Sequence, residues 1–354
     1  MEPYADLVRP RLFRLDAERA HQLARALLRL PVHLPVRGAV TSDPRLATEL
    51  SGLPLPVPIG VAPGFDKDGL LLPGLMRWGF GYVVVGSVTP HARPGNPRPR
   101  LVREPASASL INAMGLPGPG LAATLSRLRR ARRRLPDAVV VVNVSGFTPD
   151  EVVASARAVQ PYASVVELGL FCPNTGEEGE AVAGGEGFAE AVRRVRDVVD
   201  DRPLHVKLPA FHDEAGRAEV LGMVDLCLDA GVDGVSVYGV RTVRDPRLAL
   251  GEGTLSGGAV RGDSLQVLTE VADRVRGRMT IRAAGGIQDG EDAAADLSAG
   301  ADAVELYTAL VYRGPRTARL IAAELADVLE CSGRASVREL TGSTGSAGSR
   351  GGTG

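Results

Sequence analysis

A cysteine followed by proline and asparagine is the first candidate for chemistry in this sequence. Cys172 opens the stretch Cys-Pro-Asn-Thr at 172–175, shortly after the β-branched run 164–169. A thiol at the end of a strand can act as a base or a nucleophile once it is deprotonated. Only three cysteines occur in 354 residues, and this odd number favours a reducing compartment over a disulfide framework. The pattern predicts a proton-transferring thiol, with an inert buried cysteine as the alternative.

Two lysines stand at predicted strand ends. Lys67 lies in the loop 64–69, and Lys207 lies inside the apolar run 204–208. A lysine within an apolar strand is costly unless it is paired or directed at an anionic ligand. An inward Lys207 suits the electron-rich end of a flavin, where it would stabilise negative charge on the reduced ring. The alternatives are an ion pair between Lys207 and Glu167 inside the fold, and a solvated loop position for Lys67.

Three loops of small residues offer backbone N–H groups to an anion. They are Ala-Ala-Gly-Gly-Ile at 283–287, Gly-Thr-Leu-Ser-Gly at 253–257 and Glu-Leu-Tyr-Thr at 305–308. Glycines allow close approach to phosphate oxygens, and successive N–H groups form an anion-binding concavity. Together the loops predict a phosphate cradle, with ordinary turn glycines as the alternative.

Eight β-branched runs separated by helical patterns must carry these residues. The runs are nearly continuous in apolar residues, as expected of parallel strands buried on both faces. They cover 59–62, 82–86, 138–144, 164–169, 204–208, 234–238, 279–284 and 302–306. Helical stretches cover 70–78, 121–135, 149–159, 187–199, 215–230, 264–275, 290–298 and 315–329. The alternation predicts an α/β fold, a (β/α)8 TIM barrel. A doubly wound sheet is the runner-up, but its glycine-rich turn usually follows the first strand rather than the seventh.

Three regions are expected along the chain. Residues 1–50 form an N-terminal helical extension, in which Leu23, Leu27 and Leu30 share one helix face. The extension is either a lid on the barrel or a membrane-surface element. Residues 51–335 form the barrel, and the Gly/Ser-rich residues 336–354 form a disordered tail.

Composition excludes several classes of function. The net charge is −1, and the arginine run 129–134 has the pattern of a solvated helix face, so no nucleic-acid partner is expected. The histidines show no metal-ligand spacing, so no metal site is expected. Neither a transmembrane run nor a signal-peptide core is visible. The sequence therefore predicts a cytoplasmic protein.

Several longer motifs add up to a family resemblance. They are residues 4–21, Ala-Pro-Gly-Phe-Asp-Lys-Asp-Gly at 62–69, Gly-Phe-Gly-Tyr at 79–82, Gly-Ser-Val-Thr-Pro at 86–90, Pro-Gly-Asn-Pro-Arg-Pro-Arg at 94–100, Leu-Ile-Asn-Ala-Met-Gly at 110–115, Leu-Ser-Gly at 255–257 and Leu-Tyr-Thr-Ala-Leu at 306–310. With these motifs the chain resembles the dihydroorotate dehydrogenases over residues 4–330, and in particular their membrane-associated, quinone-reducing class.

The resemblance implies a flavin mononucleotide (FMN) enzyme on a (β/α)8 barrel. A base after the fourth strand removes a proton from carbon, a hydride moves from the adjacent carbon to flavin N5, and a quinone reoxidises the flavin. Cys172 stands at the position of the base. The implied flavin contacts are Ala62, Gly64, Ser87, Asn143, Lys207, Ser256, Gly257, Gly285, Gly286, Tyr307 and Thr308. The implied substrate contacts are Lys67, Asn112 and Asn174.

The substrate side departs from the family pattern. The quinone class has serine at the base position, and the soluble class has cysteine. Gly169 and Phe171 replace an asparagine and a serine of the family motif, and Tyr238 begins Tyr-Gly-Val where the family has Thr-Asn-Thr. Gly-Leu-Pro-Gly at 115–118 also stands where the family has Gly-Phe-Asn-Asn. Leu116, Phe171 and Tyr238 are therefore expected to line a more apolar substrate pocket.

Three functions follow from this combination. We favour a non-orotate substrate in specialised metabolism, oxidised or reduced at a C–C bond next to a carbonyl. One alternative is a genuine dihydroorotate dehydrogenase of pyrimidine biosynthesis, and another is a redox-neutral double-bond isomerase. The expected partners are a small-molecule substrate and a quinone acceptor, with peripheral contact at the inner membrane face through the N-terminal helices. The substrate, the direction of the reaction and the oligomeric state stay open.

Overall fold

Eight parallel strands close into a barrel. The computed structural model describes residues 4–29, 43–171, 174 and 182–341. The barrel strands are β3 (Ile59–Asp66), β4 (Tyr82–Val88), β7 (Val139–Val144), β8 (Val165–Leu168), β9 (Leu204–Lys207), β10 (Gly234–Tyr238), β13 (Thr280–Ala284) and β14 (Ala303–Leu306), in that order around the ring. Runs such as Val-Val-Val-Val-Asn-Val in β7 are buried along their whole length, as strands covered on both faces must be. The predicted (β/α)8 barrel is confirmed.

Helices surround the barrel. They are α1 (Arg9–Leu12), α2 (Ala17–Arg29), α3 (Leu72–Arg77), α4 (Leu121–Arg134), α5 (Pro149–Val159), α6 (Gly185–Arg196), α7 (Glu214–Asp229), α8 (Arg261–Val275), α9 (Gly290–Ser298), α10 (Thr308–Arg313) and α11 (Thr317–Cys331). Local sequence sets several of their starts, because side-chain caps satisfy the first N–H groups. Thr148 accepts from the Glu151 N–H, Asp213 from Gly216 and Asp289 from Asp292.

The N-terminal helices pack on the barrel. The Tyr4 hydroxyl donates to the Val311 carbonyl at 2.8 Å, and Glu18 accepts hydrogen bonds from Arg98 and Arg100. Leu23 on the expected apolar face is 43% exposed, and Leu30 lies outside the described residues. No helix in the described ranges is long and apolar enough to span a bilayer.

Two small sheets were not predicted. Strands β1 (Thr48–Leu50) and β2 (Leu53–Leu55) form a hairpin. The expected boundary between the extension and the barrel, at residues 50 and 51, therefore falls within this hairpin. Strands β5 (Leu101–Glu104), β6 (Ser109–Asn112), β11 (Arg241–Arg244) and β12 (Glu252–Gly257) form an antiparallel sheet in the order β11-β12-β6-β5. Its strands come from the segments after β4 and after β10, and its register sets Asn112 opposite Thr254.

The C-terminal region differs from expectation at two places. Val337 and Leu340 are buried, although residues 336–341 were assigned to the tail. Residues 342–354 lie outside the described part of the chain. The sequence predicts that Cys227 and Cys331 are both buried helix cysteines; Cys227 is buried, but Cys331 is exposed at the end of α11. The last residue of an amphipathic helix need not follow its apolar face.

Candidate functional site

A cavity of about 640 Å³ lies at the carboxyl ends of the barrel strands. Its walls come from the strand ends, from the four-stranded sheet and from α2. The carboxyl ends of the strands are where (β/α)8 barrels carry their active sites. The volume falls within the range of small-molecule and cofactor pockets.

Most of the predicted site residues line this one cavity. The lining set includes Ala62, Gly64, Lys67, Ser87, Asn112, Leu116, Phe171, Asn174, Lys207, Tyr238, Ser256, Gly257, Gly285, Gly286, Tyr307 and Thr308. Asn143 is fully buried behind Gly169, which itself lines the cavity. Cys172 lies outside the described residues, between the described neighbours Phe171 and Asn174.

One end of the cavity is built to receive an anion. Gly285 and Gly286 have φ values of +111° and +81°, a backbone conformation that glycine adopts without strain. In the described part of the chain, the N–H groups of these two residues have no hydrogen-bond partner. The Ser256 and Thr308 hydroxyls, which lie 3.2 Å apart, line the same cavity. Two free N–H groups and two hydroxyls are a suitable donor set for a phosphate.

A lysine and an asparagine stand at the inner end. The Lys207 ammonium lies 4.4 Å from the centroid of the Tyr238 ring, and it has no hydrogen-bond partner among the described residues. Asn143 donates from Nδ2 to Glu167 at 2.7 Å, while its buried Oδ1 has no partner among the described residues. A buried acceptor without a partner is costly unless a ligand supplies the donor. This end therefore offers one cation and one hydrogen-bond acceptor to a ligand.

Asn112, Asn174 and Thr254 form a polar cluster on the opposite wall. The Asn112 amide donates to the Thr254 carbonyl at 3.3 Å, and the Asn174 amide to the Thr254 hydroxyl at 3.3 Å. Asn96 fixes the Asn174 backbone by donating to its carbonyl at 2.9 Å. Sequence reasoning missed Thr254, although the residue lies in a small-residue loop that was singled out for its backbone.

The remaining inner wall is apolar. Phe171 packs against Phe188 of α6, with ring centroids 5.6 Å apart. Leu116 is held at φ +54° between Gly115 and Pro117. Arg93, which also lines the cavity, places its guanidinium 4.5 Å above the Phe147 ring. Neither Arg93 nor Phe147 was singled out from the sequence, because their contact joins two separate loops.

The outer end of the cavity reaches the N-terminal helix. Glu18, His21, Gln22 and Arg25 of α2 line it together with Lys67. Burial, reinforced by Lys67 and Arg25, lowers the pKa of His21 to about 3, so its ring is neutral. Burial, followed by the charges of Arg25 and Arg100, lowers the pKa of Lys67 to about 8. The extension is therefore part of the cavity wall as well as its cover.

The fold and this cavity define a (β/α)8-barrel enzyme with its site at the strand ends. Residues 45–329 match the family model described as dihydroorotate dehydrogenase. A Roseiflexus sp. (strain RS-1) protein named dihydroorotate dehydrogenase (quinone) is 37% identical, covering 95% of this chain and 97% of the relative. A protein of the same name from Kineococcus radiotolerans is 36% identical, covering 91% and 94%. A crystal structure of DHODH from Eimeria tenella in complex with ferulenol has a TM-score of 0.83 at 26% identity, covering 94% of this chain and 98% of that one.

This chain belongs to the dihydroorotate dehydrogenase family. It is a flavin-dependent oxidoreductase that acts on CH–CH bonds. The resemblance seen in the sequence motifs is thereby confirmed.

Proposed function

We propose that this protein oxidises dihydroorotate to orotate with FMN as cofactor and a quinone as electron acceptor. The relatives named dihydroorotate dehydrogenase (quinone) support this function over the non-orotate substrate that the sequence favoured. The observation that carries the proposal is the cavity itself. A single space contains a phosphate-type donor set, a lysine without a hydrogen-bond partner among the described residues, a polar asparagine cluster and a wall formed by α2.

The residues present fit FMN. Gly285, Gly286, Ser256 and Thr308 would hold the phosphate, and Lys207 would lie at the pyrimidine end of the ring. The unpartnered Asn143 Oδ1 needs an N–H donor, which the flavin pyrimidine ring provides. When bound, the flavin accepts a hydride from substrate carbon at N5.

Cys172 would act as the base that removes the proton from carbon. The described residues that flank it in the chain, Phe171 and Asn174, both line the cavity. A thiol with an ordinary pKa near 8.5 is only partly ionised at neutral pH. We expect turnover to rise with pH as the thiolate forms.

Lys67, Asn112 and Asn174 would bind and orient the substrate. Lys67 supplies a positive charge for the substrate carboxylate, because at neutral pH a lysine with a pKa of about 8 is mostly protonated. The two asparagines supply amide donors and acceptors for the ring carbonyl and N–H groups. The outer end beside His21 and Gln22 would admit the quinone.

A second candidate is oxidation of a related, less polar substrate. Gly169 carries no side chain, and Phe171 packs against Phe188. The Tyr238 hydroxyl donates its hydrogen bond to Glu305 at 2.8 Å and not toward the ligand space. These positions therefore present few hydrogen-bond partners to a polar ring. Each missing hydrogen bond to a polar ligand would weaken its binding by about 1–3 kcal/mol.

Anaerobic reduction of the flavin separates the two candidates. Purified protein is reconstituted with FMN and mixed with dihydroorotate, and the visible absorbance of the oxidised flavin is followed. Rapid bleaching, reversed by a short-chain quinone, is expected. Stable flavin colour with saturating dihydroorotate, in a protein that dithionite still reduces, would reject dihydroorotate and favour the second candidate. Failure to bind FMN at all would reject both.

A further inference from the structure

A guanidinium at the centre of the barrel joins two carboxylates from different strands. Arg282 of β13 donates to Glu305 of β14 and to Glu167 of β8. All three side chains are fully buried. The Arg282 Nε also donates to His205 Nδ1 at 3.2 Å. Burial, reinforced by Arg282, holds the pKa of His205 well below its usual value, so the imidazole is a neutral acceptor here.

The first carboxylate leads to Lys207. Glu305 Oε2 accepts the Tyr238 hydroxyl at 2.8 Å, and the Lys207 ammonium lies over the Tyr238 ring. A hydroxyl that donates to a carboxylate is polarised, which makes the ring face more attractive to a cation. Glu305 therefore holds Tyr238 in place, and the Tyr238 ring faces the only ammonium at the inner end of the cavity among the described residues.

The second carboxylate leads to Asn143. Glu167 Oε2 accepts from Asn143 Nδ2 at 2.7 Å, and Glu167 Oε1 accepts from Ser236 at 2.6 Å. An ionised carboxylate can only accept, so the amide of Asn143 must turn its NH2 group toward Glu167. Its Oδ1 then lies beside Gly169 at the cavity wall, without a partner in the described part of the chain.

Stability alone is a weak reason for this arrangement. A buried ion pair is often no more stable than well-packed apolar residues of the same volume. The cluster has two arms: the first runs from Arg282 through Glu305 and Tyr238 to Lys207, and the second runs from Arg282 through Glu167 to Asn143. The arms therefore end at the two residues that offer a cation and an acceptor to the inner end of the cavity. With Lys207 included, the cluster holds two cations and two carboxylates, so its charges balance.

We propose that Arg282, Glu167 and Glu305 are positioning residues that set the place of Lys207 and the orientation of Asn143, and thereby the affinity and the reduction potential of the bound flavin. The inference rests on the proposed FMN site in this cavity. Lys207 stabilises the negative charge of the reduced ring, and Asn143 Oδ1 accepts from the ring N–H group. Tyr238 is the positioning residue of the first arm.

Two tyrosines test the first arm as a matched pair. Tyr238 and Tyr82 both direct a hydroxyl at Glu305, at 2.8 and 3.5 Å, but among them only Tyr238 lines the cavity. In Y238F the Lys207 ammonium loses its fixed ring, so the reduced flavin is stabilised less. We expect the midpoint potential to fall by about 30 mV, which is a tenfold change for a two-electron couple. In Y82F the potential should stay at the parent value.

The substitution E167Q tests the second arm. Glutamine can still accept from Arg282 through Oε1, but its NH2 group cannot accept from Asn143. The Asn143 amide must then turn over and present a donor where the flavin N–H requires an acceptor. We expect FMN to dissociate about tenfold more readily, the equivalent of one lost hydrogen bond. Titration of apoprotein with FMN, followed by quenching of flavin fluorescence, measures this change.

The outcomes separate this inference from the proposed function. A parent protein that binds no FMN overturns the proposed function. A parent that binds FMN, with equal potentials in Y238F and Y82F and unchanged FMN affinity in E167Q, overturns the positioning role alone. Thermal unfolding by circular dichroism checks that each variant is folded. Each substitution keeps the shape of its side chain, and because each variant removes a contact at a different carboxylate, either variant alone tests the proposal if the other does not fold.

Discussion

The substitution G169A tests whether the Asn143 side chain occupies the space that a Cβ at residue 169 would need. An ideal Cβ at residue 169 would lie 2.5 Å from Asn143 Oδ1, 2.7 Å from Nδ2 and 2.9 Å from Cγ. Ordinary contacts for a methyl group begin near 3.5 Å, so one of the two residues must move by about 1 Å. Gly169 is not held at positive φ, and the effect therefore arises from contact and not from backbone strain.

The magnitude follows from what Asn143 would lose. Its side chain is fully buried and is held by a 2.7 Å hydrogen bond to Glu167. A shift of about 1 Å would break this bond to a charged acceptor, at a cost of about 1.5–3 kcal/mol. Replacing glycine by alanine also restricts the unfolded chain, which returns about 0.4–1 kcal/mol. We expect G169A to lower the free energy of unfolding by about 1–2 kcal/mol.

Urea denaturation of the apoprotein, followed by far-UV circular dichroism, measures this change. A matched control is G222A in α7, where no atom lies within 4 Å of the added Cβ. Alanine in a helix interior should stabilise by about 0.5–1 kcal/mol. Equal midpoint shifts in G169A and G222A, or parental stability together with parental FMN affinity in G169A, would contradict this expectation.

Three further predictions concern charge and chemistry. R282M should lower the free energy of unfolding by about 3–5 kcal/mol at neutral pH, because it leaves two buried carboxylates without their cation. Burial already raises the pKa of Glu305, and a carboxyl with a raised folded pKa stabilises the fold at low pH and loses that contribution as pH rises. The deficit of R282M in urea denaturation should therefore shrink in mildly acidic buffer, and a constant deficit would contradict this. Burial opposes ionisation of Glu18, but Arg100 and then Arg98 outweigh it and hold its pKa below the ordinary value. E18Q should therefore have a free energy of unfolding about 1–3 kcal/mol lower than the parent at neutral pH. This difference in stability should vanish as pH falls through the folded pKa of Glu18. C172A should slow flavin reduction in stopped-flow experiments by about 10²–10⁴-fold while leaving FMN affinity unchanged, and a loss of FMN binding would place the residue in the cofactor site instead.

The barrel strands could be predicted because each is a local signal. The run 234–238 matches Gly234–Tyr238 to the residue, and the others differ from the predicted runs mainly at their ends. The four-stranded sheet could not be predicted in the same way. Its strands are short, and the register that joins Asn112 to Thr254 spans 142 residues of chain. Long-range pairing of this kind leaves no periodicity in either segment.

The buried ion pairs inside the barrel could not be predicted from the sequence either. Glu167, Arg282 and Glu305 each interrupt an apolar strand, and a single sequence does not say which strands face one another. The expected alternative for Lys207, an ion pair with Glu167, is wrong for this reason. Arg282 takes both carboxylates, and Lys207 is left with the face of Tyr238.

The charged interior and the missing side chain at residue 169 are coupled through Asn143. Glu167 and Gly169 are two residues apart on the same chain segment, so both face the barrel axis. Glu167 draws Asn143 into a position where no side chain fits at residue 169. An asparagine at 169, as the family motif has it, is therefore incompatible with Asn143 as Glu167 holds it. Restoring that asparagine alone should destabilise the protein, whereas combining it with an apolar residue at 167 would release Asn143. Without Glu167, however, Arg282 and Lys207 would share Glu305 as the single carboxylate of the cluster, so the second substitution would leave one uncompensated positive charge in the barrel.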